Sequence, residues 1–244
     1  MDSEVRFLLK PELKDPVLIG GLPGVGYVGK LASEFLISEL SAQKIAEQLS
    51  PHFPHYTILE KDGTLRASRH DFYWARVQGK DLIILTGDCP ITTPEGHYEV
   101  ASKILEAMEF WGVKEIYMLG GIVFSGRARG SSKVIIVPNQ PDFIPHKPSK
   151  IEIGPVIGLT GLLVSLARVK GIRGACLLAE AGDPVVDTHS AKLLLQTLLE
   201  LLGLDLDLSA LEKQALVLRE WIEKMKKEVK RREQPQREET WYIG

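Results

Sequence analysis

Gly24, Gly26, Gly29 and Lys30 fall in one short segment and carry two spacings that handle phosphate. The three glycines spell G-x-G-x-x-G, a turn that lets the backbone approach a pyrophosphate when it follows a strand and opens a helix. Gly24 to Lys30 also reads G-x-x-x-x-G-K, in which backbone N–H groups cradle phosphates and a lysine reaches the outer ones. Each pattern lacks a partner. The acid expected about 20 residues on, to take a ribose hydroxyl, has only Glu47 as a candidate. Leu31 stands where a magnesium-holding hydroxyl belongs. A third reading needs no ligand: glycine supplies unusual φ angles in a turn and lets a helix lie close to a sheet. The candidate anion-binding residues are therefore Gly24, Gly26, Gly29 and Lys30.

Further polar groups gather where apolar runs break. Ser125, Arg127, Arg129, Glu180, Asp183, Asp187 and His189 are the residues an enzyme would draw on, and arginines beside glycine turns hold phosphate well. They form no recognised catalytic constellation: there is no G-x-S-x-G elbow, no H-E-x-x-H and no cysteine pair with zinc spacing. Asp187 suits a helix cap. His52, His55, His70, His97 and His146 are scattered, and nothing in their spacing makes any of them a ligand. The expectation is a chain with no catalytic residues, no metal site and no cofactor.

Val17 to Ile19 is an uninterrupted apolar run of the kind found in a strand buried on both faces. From Tyr27 the residues Val28, Leu31, Ala32, Phe35 and Leu36 recur at helical spacing. Strands follow at Lys44 to Leu49, Leu82 to Leu85, Ile116 to Leu119, Val134 to Val137 and Ala175 to Ala179. Thr57 to Leu59 and Phe72 to Val77 read as a smaller antiparallel element. Thr93 with Pro94 opens a helix, by hydroxyl cap and first-turn proline. Ile157 to Lys170 and Asp187 to Leu202 are two more. Strands alternating with helices of this length predict a mostly parallel sheet covered on both faces, with any site beyond the carboxyl ends of its strands.

The 244 residues suit one large domain with an appendage, here residues 1–206, then a helix over 207–234 and a flexible tail over 235–244. Ser209 and Glu212 form a capping box for the helix. Leu211, Ala215, Leu218, Ile222, Met225 and Val229 alternate spacings of four and three, a seam that packs on its own domain or pairs with a second copy. Charge rises steeply from Lys226, Pro235 stops the helix, and the chain then ends Trp241-Tyr242-Ile243-Gly244. Aromatic side chains on a charged tether offer a partner large contact area. Thirty basic against 32 acidic side chains give a net charge of -2, which leaves no footprint for nucleic acid. Cys89 and Cys176 lack disulfide or metal spacing, and Met1 to Lys10 has no signal core, so a cytoplasmic protein is expected. No apolar run is long enough to span a membrane.

The glycine turn Gly20 to Gly29, the segment Glu180-Ala181-Gly182-Asp183-Pro184 and the order of elements resemble the proteasome assembly chaperone family in its archaeal branch, over roughly Val17 to Leu218. The resemblance implies a three-layer α/β/α domain like that of the nucleoside phosphorylases, a homo-oligomer, and contact with the α subunits of the core 20S proteasome. It also implies a carboxyl-terminal hydrophobic-tyrosine-any residue signature, onto which Trp241, Tyr242 and Ile243 map. Gly244 departs from that pattern and sets the terminal carboxylate one residue further out.

Overall fold

The computed structural model describes residues 2–123, 134–143, 156–183 and 185–233, the side chains of 228–233 excepted. Its strands are β1 (Glu4–Phe7), β2 (Val17–Gly21), β3 (Gln43–Leu49), β4 (Thr57–Leu59), β5 (Leu65–Ala67), β6 (His70–Val77), β7 (Lys80–Gly87), β8 (Glu115–Ile122), β9 (Val134–Pro138) and β10 (Arg173–Glu180). Its helices are α1 (Val28–Glu39), α2 (Pro94–Trp111), α3 (Leu159–Val169), α4 (Thr188–Leu202) and α5 (Leu211–Glu233).

Eight strands form one sheet in the order β1-β3-β6-β7-β2-β8-β10-β9, and β4 and β5 make a separate hairpin. The four central strands, β7-β2-β8-β10, run parallel, and both flanks are antiparallel. That division follows the sequence. The central strands are the unbroken aliphatic runs, which need helices on both faces, whereas β6 and β7 are joined by a tight turn with Gln78 and Gly79 at positive φ. β6 therefore belongs to the main sheet rather than to the small antiparallel element expected for it.

Alternate side chains along the strands feed two cores. Ile19, Leu82, Ile84, Leu119 and Leu177 meet α1, α4 and α5 on one face, and Leu18, Ile83, Leu85, Met118 and Leu178 meet α2 and α3 on the other. This is the three-layer α/β/α architecture. Helix ends are chemically marked: Thr93 Oγ accepts from Gly96 N–H at 3.0 Å, and Asp187 Oδ1 accepts from Ser190 N–H at 2.9 Å. Ser209 does not cap α5. Its N–H and hydroxyl both bond to Asp207, at 2.9 and 2.7 Å, in a local turn that competes with the capping geometry.

Candidate functional site

The chain leaves β2 through a single 3-10 turn, Val25–Tyr27, and enters α1 with Gly26 at φ 58 and Tyr27 at φ 49. The reason for glycine differs along this turn. A Cβ on Gly29 would lie 2.2 Å from the Leu119 carbonyl oxygen, so the residue sets how closely α1 approaches β8. One on Gly26 would lie 2.9 Å from the Asp183 carbonyl. Gly24, at φ -167, is extended and meets nothing nearer than Leu22 O at 3.9 Å.

The structure separates Lys30 from these glycines. Its buried amine donates to Gly87 O at 2.7 Å, pairs with Glu34 Oε1 at 2.5 Å and stands 5.7 Å from the centre of the Trp221 ring. In this structure the lysine ties α1 to the end of β7. Glu47, the candidate ribose acid, lies in β3 within an ion network. Lys44 bridges it to Asp71, at 3.0 and 2.7 Å, and Arg69 does the same, at 3.2 and 2.9 Å. Against the cost of burial, the hydrogen bond from Lys44 and the charges of Lys44, Arg69 and Arg6 hold the Glu47 carboxyl below its usual range. Lys30, Glu34, Arg66, Asp71 and Asp88 line a charged cleft of about 330 Å³ here.

Among the strand-end candidates, Asp187 is a structural hub. Its carboxylate takes N–H groups of Gly182 and Asp183, at 2.5 and 3.2 Å, besides capping α4, and its own N–H donates to Gly26 O at 2.9 Å. Asp183 pairs with Arg219 of α5 at 2.6 Å, and Arg219 also donates to Val186 O at 2.9 Å. Glu180 closes β10, buried, and His189 lies in the first turn of α4. Ser125, Arg127 and Arg129 lie outside the described residues. Cys89 and Cys176 are buried, and desolvation pushes both thiols up to about 12, which keeps them protonated. Among the described residues no three His, Cys, Asp or Glu side chains converge as a metal site, and no helix is long and apolar enough to cross a membrane.

A second cleft, of about 550 Å³, opens beyond the carboxyl ends of β2, β7 and β8, where a parallel sheet places its sites. Gly24, Gly29, Gly120 and Gly121 form part of its wall, with Leu22, Ile122 and Leu178. Its polar lining includes His70, a residue whose sequence neighbours carry no signal of the role. The imidazole is fully buried, its Nδ1 lies 3.2 Å from Gln48 Oε1, and Phe53 packs on its ring at 4.5 Å between centres. Burial lowers its pKa to about 4, outweighing Asp88 and the Cys89 backbone, which favour the charged form.

Of the two fates that the helical seam's spacing allows, packing on its own domain is the one seen as far as Ile222. Leu211, Ala215, Leu218 and Ile222 are buried in the same core as α1 and α4, and Met225 is half-buried. As far as Ile222 the seam is spent inside the chain. The Val229 side chain and Trp241, Tyr242, Ile243 and Gly244 lie outside the described residues.

Comparison with known proteins follows this geometry closely. The PAC2 family model matches residues 18–226. An uncharacterized protein of Methanocaldococcus jannaschii is 30% identical over 244 aligned residues, which span 95% of this chain and 93% of the relative. The crystal structure of Pyrococcus furiosus PbaB, described as an archaeal proteasome activator, superposes with a TM-score of 0.81 at 32% identity, covering 92% of this chain and 99% of that one. Pyrococcus furiosus PbaA, described as an archaeal homolog of proteasome-assembly chaperone, shares the fold at a TM-score of 0.74 and 23% identity, over 94% and 100% of the two chains. The chain belongs to the PAC2 family, as the glycine turn and the segment from Glu180 to Pro184 led us to expect.

Proposed function

We propose that this protein is a proteasome-interacting factor, an assembly chaperone or ATP-independent activator, that works in the cytoplasm as a homo-oligomer. In this reading Trp241, Tyr242, Ile243 and Gly244 dock on the α subunits of the core 20S proteasome. The observation that carries it is the 32% identity to PbaB over nearly the whole of both chains. The sequence after α5 adds to it: a charged segment leads into the adjacent aromatic residues Trp241 and Tyr242, large contact groups of the type that anchor interfaces. Several copies on one oligomer raise the effective concentration of each tail, so individually weak tails bind with avidity. The enzyme reading of the glycine turn loses its cation, because the Lys30 amine is committed to Gly87 O and Glu34.

Deletion of residues 241–244 tests the proposal. The truncated protein should keep the oligomer size of the full chain in sedimentation, lose capture of the core particle in pull-down, and leave its peptide hydrolysis unchanged. Capture at full-length strength would refute the tail model.

A further inference from the structure

β1 closes one margin of the sheet, and among the described residues it pairs only with β3. Glu4 lies opposite Leu49 and Phe7 opposite Ala46, and the Leu8 N–H continues the register by donating to Ile45 O at 2.8 Å. Bonded pairs alternate along an antiparallel ladder, so Glu4, Arg6 and Leu8 turn their backbone groups toward β3, while Val5 and Phe7 turn theirs outward. An open row of this kind is a template for another strand.

Helix α2 runs along the same margin. The Ser3 N–H donates to Glu99 Oε1 at 2.7 Å in the first half of the helix, and near its end the Phe110 ring stands 4.6 Å from that of Phe7, between centres. Glu99, Lys103, Glu106 and Phe110 are spaced four, three and four apart, and so share the helix face beside β1. Phe7 is 37% exposed and Phe110 57%, an uncovered aromatic pair at one end of this margin.

Both elements are self-complementary about one point. A two-fold axis through Val5 sets that residue against its own copy, with backbone bonds in both directions, and sets Glu4 against Arg6 of the partner subunit. The neighbouring registers that keep the outward groups matched would set Arg6 against Arg6 or Glu4 against Glu4, like charges directly opposite. Because Ser3 lies beside Glu99 and Phe7 beside Phe110, Val5 is level with the middle of that stretch of α2, between Lys103 and Glu106. The same axis therefore directs Lys103 of each copy toward Glu106 of the other. We infer that the β1 edge and the Glu99–Phe110 face of α2 are the surface by which two copies of this chain join, their eight-stranded sheets meeting edge to edge. This rests on the homo-oligomer proposed above and specifies its surface.

Charge reversal with mixing tests it. Lys103→Glu and Glu106→Lys each create two like-charge pairs across the axis and should raise the Kd for self-association, measured by sedimentation, about tenfold. Mixed in equal amounts, the two variants should associate as the parent does, since each reversed residue then meets its opposite. Glu4→Arg and Arg6→Glu should weaken association singly and restore it together in the same way. Unchanged association of the single variants, or a mixture no tighter than its components, would overturn this surface and leave a homo-oligomer of parental size standing. A parent that sediments as a monomer at every concentration would overturn both.

Discussion

Two clefts flank the carboxyl end of β7 and treat their polar groups in opposite ways. In the smaller one every described charge meets an opposite partner: Lys30 with Glu34, Lys44 and Arg69 with Asp71 and Glu47, Arg66 with Asp88 and Glu60. In the larger one the polar lining includes a fully buried imidazole that is bonded to the neutral Gln48 amide. A lysine that the sequence places beside a phosphate-type turn ends up in the first cleft, and the turn's glycines line the second. Motif spacing thus joins residues that the fold sends to different places.

The largest effect is expected at Gly29, which lines the larger cleft and abuts β8. Gly29→Ala should destabilise by about 4 kcal/mol in urea denaturation, since its methyl would lie 2.2 Å from backbone that cannot yield. Gly24→Ala, five residues earlier but in open space, should stay within about 0.5 kcal/mol. Comparable losses at both positions would mean that the turn's glycines do not act by spacing α1 from β8.

Acid should distinguish the clefts next. His70 titrates near 6.5 when unfolded and is pushed down to about 4 by burial, so the unfolded chain takes up its proton first. Stability from His70 is complete above about pH 6.5 and declines by up to about 3 kcal/mol as pH falls to about 4. Glu47, Asp187 and Asp183 have lowered carboxyl pKa values, and their contribution is lost only below the ordinary carboxylate range. Urea melts at pH 7 and pH 4.5 should show the upper window in the parent and not in His70→Phe. An identical slope in both would remove His70 as its source.

On the charged side the expected loss is smaller than at Gly29 or His70. Lys30→Met keeps most of the buried aliphatic stem but leaves Gly87 O without its donor, and should cost about 2 kcal/mol. Added ATP or NAD should raise the melting temperature of neither parent nor variant; a rise in the parent alone would restore the phosphate reading.

What could be read in the sequence divides along physical lines. Buried runs such as Val17 to Ile19 and Leu82 to Leu85 announced central strands, because burial on both faces permits little but aliphatic residues. β1 gave no such sign: it is an edge strand, and of its four residues only Val5 is even partly buried. β5 is three residues long with only Arg66 partly buried, and its pairing with β4 leaves no periodic trace. The seam in α5 was legible as a stripe, but spacing says only that it must be covered and not by which helix. The relay from Val100 through Gln48 to His70 joins α2, β3 and β6, and no local pattern marks it.

The last buried side chain described on α5 is Ile222, while the helix itself runs to Glu233. At 1.5 Å per residue, that extension is a mast about 16 Å long, stayed near its foot by the Arg219 pairing to Asp183. The end of the helix at residue 233 is thereby given both a reach and a bearing. One inserted residue would lengthen the mast by 1.5 Å and swing its heading by about 100°, while an added full turn would restore the heading and change only the reach.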